Sequence, residues 1–334
     1  MPEAEHKKHI RVYFLASGDI SLPIFEKLCS SSRVELVGAG TQIKHTLAPD
    51  GSVRTTKTPL LKECQKTGKA IDQLNSVNTE DFHSRLRDLE VDLLVVASFG
   101  QLLKPALLAI PPFGCLNIHA SLLPKYRGAS PIVACLLNGD TKTGVSFMQM
   151  EAGLDTGPVY RTCELDILEN DTADKLEKRL GELAAANIEQ VIEDIVVGGL
   201  TPKPQSQEGA SYAKKIQKED GFADWHESAE LLANKARAYN PWPSLKIKIP
   251  TQSGGYRNVK ITSAQALPDC PNGSTPGEIL AFGKDGILVA CGSGALRILR
   301  ITPEGRNDMA ATAYLLGAPL PSDQPFMKQF SPGD

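Results

Sequence analysis

The chain has 334 residues, a formal net charge of −3, and 41% hydrophobic and 22% charged residues. This length predicts about two domains, and the slightly acidic balance excludes a globally basic nucleic-acid-binding protein, so an RNA partner has to meet a local basic patch. The seven cysteines are odd in number and include no Cys-x-x-Cys pair, which argues against a disulfide framework or a zinc site, and no metal is expected.

The first half of the chain alternates short apolar runs with amphipathic segments. Strands are predicted at residues 10–15, 34–39, 92–97, 115–118 and 145–150, and helices at 22–29, 79–89 and 172–197. The run at 92–97 (DLLVVA) is almost continuously apolar, as expected for a strand whose two faces are covered by helices. This order predicts an α/β fold with an open, Rossmann-like, mostly parallel sheet in an amino-terminal catalytic domain, residues 1–200.

The second half of the chain differs in composition. Residues 201–218 contain two prolines and four lysines against one glutamate, which predicts a basic linker. A helix is predicted at 228–239, with Ser228 as its N-cap. Five short strands are predicted at 245–249, 258–266, 277–282, 286–290 and 295–301. Their close spacing favours a small OB-like β-barrel as the domain of residues 219–334.

The apolar runs indicate neither a leader sequence nor a membrane span. Residues 1–8 contain no apolar stretch of the kind found in signal peptides. The longest apolar run, residues 91–103, is interrupted by polar side chains and is too short to cross a bilayer. We therefore expect a cytoplasmic protein that has no membrane partner, and we take a monomer as the default expectation.

Asn117 and His119 stand at the end of a predicted strand. Their separation of two residues places both side chains on the same face of that strand. In an open α/β sheet the carboxyl ends of the strands border the ligand crevice. An amide and an imidazole there can donate hydrogen bonds to a developing oxyanion, and the imidazole can exchange a proton near neutral pH.

Asp155 lies between two glycines in the sequence Gly153-Leu154-Asp155-Thr156-Gly157. The glycines predict a tight loop, and a carboxylate next to His119 would orient the imidazole and stabilise its charged form. Taken separately, an Asn-x-His pair is more often structural, and an aspartate between glycines is more often a turn residue. The combination of the two motifs favours a catalytic site.

These motifs resemble the signatures of folate-dependent formyltransferases. The first resemblance covers Asn117-Ile118-His119-Ala120-Ser121-Leu122-Leu123-Pro124 and Arg127-Gly128-Ala129-Ser130-Pro131, and the second covers residues 153–157. The resemblance implies that Asn117, His119 and Asp155 form the catalytic trio. It also implies that the folate pocket is lined by Ser121, Leu122, Leu123 and Pro124.

Other segments are similar to the methionyl-tRNA formyltransferase family. They are Tyr239-Asn240-Pro241-Trp242-Pro243 in the carboxyl-terminal domain, residues 211–216 with Asp224-Trp225 at the domain junction, and Ala97-Ser98-Phe99-Gly100 after the third strand. The resemblance extends from about residue 10 to about residue 300. It implies transfer of a formyl group from the co-substrate 10-formyltetrahydrofolate to the α-amine of methionyl initiator tRNA, which gives N-formylmethionyl-tRNA for translation initiation.

Two loops depart from the family pattern. The first loop usually reads Gly-Thr-Pro-Asp/Glu-Phe, whereas residues 16–20 read Ala-Ser-Gly-Asp-Ile. The family also has a basic loop after the second strand that reaches the acceptor end of the tRNA. Thr41-Gln42 matches the start of that loop, but residues 43–58 are longer and less basic. Arg54 and Lys57 are the candidates for acceptor-stem contacts there.

RNA binding is expected to be electrostatic and salt-sensitive. The candidate contacts are Lys214, Lys215 and Lys218 in the predicted linker, and Lys246, Lys248 and Lys260 on predicted barrel strands. Each of these lysines could equally belong to an ordinary solvated surface.

Four other functions fit parts of the sequence. Formyltransferases of amino-sugar nucleotides can carry a similar second domain, whereas those of glycinamide ribotide resemble only the first domain. A nicotinamide dehydrogenase needs Gly-x-Gly-x-x-Gly after the first strand, and residues 15–20 contain a single glycine. A non-catalytic RNA-binding protein is disfavoured because Asn117, His119 and Asp155 are all present.

Overall fold

The computed structural model describes residues 9–47, 52–321 and 327, and the chain divides into two compact units. The first unit consists of the described residues of Met1–Pro131 together with Thr141–Ile167 and Leu176–Lys214. The second consists of Ile132–Asp140, Leu168–Lys175 and the described residues of Lys215–Asp334. None of the helices in the described ranges combines the length and the apolar character that crossing a membrane requires.

The first unit is built on a seven-stranded sheet. The strands of this unit are β1 (Ile10–Ala16), β2 (Val34–Gln42), β3 (Lys44–Leu47), β4 (Val53–Thr56), β5 (Asp72–Leu74), β6 (Leu93–Ala97), β7 (Cys115–His119), β8 (Arg127–Gly128), β9 (Lys142–Gln149), β10 (Val159–Asp166) and β11 (Tyr212–Ala213). The order in the sheet is β10-β9-β7-β6-β1-β2-β5. The five strands from β7 to β5 pair in parallel, and β9 is antiparallel to both of its neighbours.

The helices begin where the sequence supplies caps and apolar spacing. They are α1 (Ser21–Cys29), α2 (Pro59–Thr67), α3 (Glu80–Asp88), α4 (Pro105–Leu108), α5 (Pro131–Leu137), α6 (Ala173–Val196), α7 (Ala229–Ala238) and α8 (Ala311–Gly317). The hydroxyl of Thr58 caps α2, that of Thr79 caps α3, and that of Ser228 caps α7 by accepting a backbone N–H three residues on. The helix predicted at 228–239 is therefore confirmed together with its cap.

The middle strands of the sheet are fully buried. All five side chains of β6 are buried, and Val12 and Phe14 of β1 are fully excluded from solvent. The parallel, covered sheet explains why the run at 92–97 is apolar without alternation. In open sheets whose faces are covered in this way, ligands usually bind at the carboxyl ends of the strands.

The second unit contains a six-stranded antiparallel sheet. Its strands are β12 (Leu245–Pro250), β13 (Tyr256–Leu267), β14 (Ile279–Gly283), β15 (Gly286–Ala290), β16 (Ala295–Pro303) and β17 (Met309–Ala310). They meet in the order β12-β13-β16-β15-β14, with β17 on β16. Leu232 and Ala236 of α7 pack with Ile247 and Ile298 in the core of this unit. The predicted α/β domain with a small OB-like β domain is confirmed as the fold class.

The seven cysteines all lie in the described part of the chain, and none forms a disulfide there. Burial raises the pKa of the Cys64 thiol to about 11 and that of Cys115 to about 12. Both side chains therefore stay protonated at neutral pH and act as small apolar residues of the core.

Replacement of Gly144 by alanine is expected to destabilise the first unit. A β-carbon at this position of β9 would overlap the carbonyl oxygen of Cys163 and approach Leu122 Cδ2 to 2.6 Å. Because these neighbours belong to a paired strand and a buried loop, we expect a loss of about 1–3 kcal/mol in unfolding free energy, typical of overpacking. Equilibrium unfolding in urea measures this loss of free energy.

Lys142→Ala on the same strand is the matched control for this measurement. Its side chain is exposed, and its ion pair with Glu164 spans 3.3 Å at the surface. Such substitutions usually change the free energy of unfolding by less than about 0.5 kcal/mol. Equal stability of Gly144→Ala and Lys142→Ala would contradict the close approach of β9 and β10.

Candidate active site

Asn117 and His119 lie at the carboxyl end of β7, beside the end of β6. The imidazole is 6% exposed, whereas the amide is half-buried. The strand alternation places both side chains on one face, since both are within reach of the same carboxylate of Asp155. The two polar groups thus stand at the carboxyl end of a parallel strand, the position at which open α/β sheets usually bind ligands.

Asp155 connects these two side chains. Its Oδ1 accepts a hydrogen bond from Asn117 Nδ2 at 3.4 Å, and its Oδ2 accepts one from the backbone N–H of Gly128 at 2.8 Å. The same Oδ2 lies 3.7 Å from His119 Nδ1. The structure therefore brings together the three side chains that the sequence singles out, around a carboxylate of which 14% is exposed.

The loop that presents Asp155 has little freedom. A β-carbon at Gly153 would overlap the hydroxyl of Thr156, and one at Gly157 would overlap the carbonyl oxygen of Gln149. Asp155 itself has a left-handed backbone with a φ of 53°, a conformation that aspartate tolerates better than most residues. The two glycines are therefore required by close packing on either side of the carboxylate.

The hydrogen bonds of His119 fix its tautomer. Nε2 lies 2.8 Å from the carbonyl oxygen of Tyr126. Because a carbonyl can only accept, Nε2 has to carry a proton and donate it. Nδ1 is then the ring nitrogen that gains or loses a proton, and it faces Asp155 across a gap longer than a direct hydrogen bond.

The predicted folate residues form a loop directly after β7. Ser121 is fully buried, and its hydroxyl donates to the carbonyl oxygen of Lys125 at 2.6 Å. Leu123 is 9% exposed, while Leu122 and Pro124 are half-buried. Leu122 and Pro124 are thus the members of this set whose side chains retain some access to solvent.

Ser146 holds this loop, and the sequence analysis missed it. Ser146 lies on β9, in register with His119, and is fully buried. Its hydroxyl donates to the carbonyl oxygen of Ser121 at 2.6 Å and accepts the N–H of Leu123 at 3.0 Å. The sequence shows only a hydroxyl inside an apolar run, which needs a polar partner when buried, but it does not show which backbone groups that partner provides.

The segment predicted as a linker packs around the same site within the first unit. β11 pairs in parallel with β8, and Ser211 Oγ accepts the N–H of Tyr126 at 2.9 Å. The side chain of Gln205 bonds to the loop that carries Asp155. These contacts involve backbone groups, so the residue types of the segment gave no sign of them.

The predicted RNA contacts fall in different parts of the chain. Arg54 lies in β4, which forms a hairpin with β3 inside the long loop of residues 43–58, and its side chain is outside the described set. Lys57 is exposed and donates to Gln65 Oε1 at 2.9 Å. Lys214, Lys215 and Lys218 are exposed as well.

A basic cleft in the second unit includes Lys218. The cleft has a volume of about 370 Å³, and its lining includes Lys218, Lys246, Lys260, Arg306 and Phe222. Lys246 Nζ lies 5.3 Å from the centre of the Phe222 ring. Burial, together with the positive charges of Lys218 and Lys260, lowers the pKa of Lys246. The lining contains four basic side chains against one carboxylate, that of Glu304, and this excess of positive charge favours an anion.

Comparison with known protein families finds matches over most of the chain. The sequence profile described as Formyl transferase matches residues 46–192, and the profile described as Formyl transferase, C-terminal domain, matches residues 215–319. A methionyl-tRNA formyltransferase of Geobacter metallireducens is 36% identical over 312 residues, which is 93% of this chain and 96% of the relative. One of Stenotrophomonas maltophilia is 43% identical over 77% of this chain and 82% of its own length.

Solved structures share the fold at low sequence identity. WlaRD, a sugar 3N-formyl transferase crystallised in the presence of dTDP and 5-N-formyl-THF, aligns with a TM-score of 0.58 and 15% identity over 90% of this chain and 100% of that one. HypX from Aquifex aeolicus, in complex with tetrahydrofolic acid, aligns with a TM-score of 0.57 and 15% identity over 92% of this chain and 47% of that one.

Replacement of Ser146 by alanine is expected to lower stability by about 1–3 kcal/mol, because the carbonyl of Ser121 and the N–H of Leu123 lose a buried partner. Chemical unfolding measures the loss. Ser30→Ala is the matched control, since its hydroxyl also donates to backbone carbonyls but at the exposed end of α1. A loss no greater than that of Ser30→Ala would show that Ser146 does not support the loop.

Proposed function

This chain belongs to the methionyl-tRNA formyltransferase family, and we propose that it transfers the formyl group of 10-formyltetrahydrofolate to the α-amine of methionyl initiator tRNA. The proposed product is N-formylmethionyl-tRNA for translation initiation, made in the cytoplasm by a monomeric enzyme. The observation that carries the proposal is the convergence of Asn117, His119 and Asp155 at the end of β7.

In the proposed reaction the neutral amine attacks the formyl carbon, and the formyl oxygen gains negative charge. The amide nitrogen of Asn117 carries two hydrogens, and one of them points to Asp155. The second amide hydrogen can donate a hydrogen bond to the oxygen of the tetrahedral intermediate. A preorganised donor of this kind contributes roughly 10²–10³ to the rate because it stabilises charge only as the charge develops.

His119 and Asp155 handle the proton that the amine loses. A bond forms between the nitrogen of the α-amine and the formyl carbon, and the bond between that carbon and folate N10 breaks. The proton lost by the amine passes to N10. Nε2 of His119 already donates to Tyr126, so Nδ1 is the nitrogen that can take part. His119 Nδ1 lies 3.7 Å from Asp155 Oδ2, so transfer of a proton between them requires a small movement or a bridging water.

The folate is proposed to bind along the loop of residues 121–124. Leu122 and Pro124 offer apolar surface to an aromatic ring system, as ligand pockets of this kind usually do. Ser121 and Leu123 act on the folate through the loop conformation, since Ser121 is fully buried and the N–H of Leu123 is held by Ser146. No metal is assigned a role.

The tRNA is proposed to bind through its phosphates to basic groups on both units. Arg54 and Lys57 on the hairpin loop, together with Lys214, serve the first unit, and Lys215 and Lys218 serve the second unit. The cleft with Lys246 and Lys260 extends this basic surface on the second unit. Phosphate neutralisation by such lysines is independent of sequence and weakens steeply with salt.

The direct test is incubation of the protein with 10-formyltetrahydrofolate and methionyl initiator tRNA, followed by analysis of the amino acid released from the tRNA. We expect formyl-methionine, at a rate far above that with a nucleotide-linked amino sugar. Formylation of the sugar amine in preference to the tRNA would overturn the assignment of the acceptor. Absence of transfer to either would overturn the proposed chemistry.

Substitution of any member of the trio is expected to remove most activity. Asn117→Ala, His119→Ala and Asp155→Asn should each lower kcat by roughly 10²–10³, because each removes a donor or a proton acceptor at the reacting centre. Steady-state formylation kinetics measure the effect. Glu151→Gln removes an exposed carboxylate four residues before Asp155 and should leave kcat within about twofold. Near-normal rates in all three variants would rule out the trio.

Removal of the cleft lysines is expected to weaken tRNA binding without changing the chemistry. Lys246→Gln and Lys260→Gln should each reduce the slope of log affinity against log salt by about one, because each neutralises one phosphate. Filter binding at several salt concentrations measures the slope. Lys284→Gln is the control, since Lys284 is exposed on the turn between β14 and β15. If Lys246→Gln and Lys260→Gln gave the same slope as Lys284→Gln, the tRNA would not bind at this cleft.

A further inference from the structure

Gln205 makes two hydrogen bonds to the loop that presents Asp155. Its Nε2 donates to the carbonyl oxygen of Asp155 at 2.8 Å and to that of Gly157 at 2.7 Å. One side-chain amide thus donates hydrogen bonds to the backbone on both sides of Thr156. Gln205 follows the last helix of the first unit by several residues and is separated from Asp155 by 50 positions in sequence.

Arg127 determines which way the amide of Gln205 faces. The Nε of Arg127 donates to Gln205 Oε1 at 3.0 Å. A guanidinium can only donate, so the amide oxygen has to point toward it and the amide nitrogen toward the loop. Arg127 is 1% exposed and lies in β8, directly before Gly128. The orientation of Gln205 is therefore set by a buried group of the same unit.

The loop of Asp155 depends on such support. Residues 151–154 and Thr156 are exposed, so this stretch is held by the close contacts at Gly153 and Gly157 and by backbone hydrogen bonds, not by a buried apolar face. The backbone of Asp155 is in the left-handed region, where no regular secondary structure fixes it. A small rotation of this peptide would move the carboxylate away from Asn117 Nδ2 and from the N–H of Gly128.

We propose that Gln205 is a positioning residue for formyl transfer, acting through Asp155, an inference that rests on the function proposed above. Gln205 holds the carbonyl groups of Asp155 and Gly157 so that the carboxylate stays on Asn117 and Gly128 and faces His119. Arg127 holds Gln205 in the orientation that makes this possible. The segment carrying Gln205 is thereby part of the catalytic machinery of the first unit.

A purely structural role makes different predictions from a positioning role. If Gln205 only stabilised the fold, its loss would lower the unfolding midpoint and leave kcat of the folded enzyme unchanged. If it positions Asp155, kcat falls while the Michaelis constant for the tRNA stays within about twofold. A misplacement of about 1 Å at a catalytic group costs on the order of 10² in rate, so a fall of roughly 10- to 100-fold is expected.

Two variants of Gln205 preserve its size. Gln205→Met removes both amide hydrogens, and Gln205→Glu replaces them with a carboxylate that repels the carbonyl oxygens of Asp155 and Gly157. Gln207→Glu is the matched control, because Gln207 is exposed two residues further along the same segment. All variants are made in the full chain, and the fraction folded at the assay temperature is measured by circular dichroism.

A double-mutant cycle then tests whether Gln205 acts through Asp155. In the Asp155→Ala background, single-turnover formylation at high enzyme concentration should show less than a twofold further effect of Gln205→Met. Independent action would instead give multiplied losses.

The outcomes separate the inference from the proposed function. An inactive wild-type enzyme overturns the proposed function itself. An active wild type with Gln205→Met and Gln205→Glu at the rate of Gln207→Glu overturns the positioning role and leaves the function intact. Multiplied losses in the cycle, or unfolding of both Gln205 variants at the assay temperature, also overturn it. A folded variant with lowered kcat and a non-additive cycle establishes it.

Discussion

The candidate site depends on a single carboxylate held in one place. Asp155 accepts hydrogen bonds from Asn117 and from the backbone of Gly128, and it faces Nδ1 of His119. These two donors offset part of the cost of burying a polar group at this edge of the sheet.

The groups around Asp155 come from distant parts of the first unit. β7 supplies Asn117 and His119, the loop after it supplies the carbonyl of Tyr126 and the N–H of Gly128, and Gln205 lies far along the chain. β7 carries Asn117 and His119 to its carboxyl end, and the loop after the antiparallel strand β9 brings Asp155 to them. Buried hydroxyls such as that of Ser146 then fix the loops that leave those ends.

Much of the fold follows from the sequence because burial in a parallel sheet leaves a clear apolar pattern. The runs at 10–15, 92–97 and 115–118 correspond to β1, β6 and β7, and the long amphipathic pattern corresponds to α6. β10 and the hairpin of β3 and β4 were not predicted. The carboxyl-terminal half of β10 alternates between exposed and half-buried side chains, and β3 and β4 pair within residues 43–58, for which a loop was predicted. Edge strands of this kind lack the apolar signal on which the prediction rests.

The sequence could predict those parts of the site that consist of side chains of a recognisable type and spacing. Asn117, His119 and Asp155 are recognisable by type and spacing, and the structure places them together. Gln205, Ser146 and Ser211 act on backbone N–H and carbonyl groups, which every residue possesses. A backbone partner leaves no trace in the residue sequence, because only the donor or acceptor side chain can be read. The proline- and lysine-containing segment after α6 therefore resembled a connector, although its polar side chains complete the hydrogen bonds of the loops around the carboxylate.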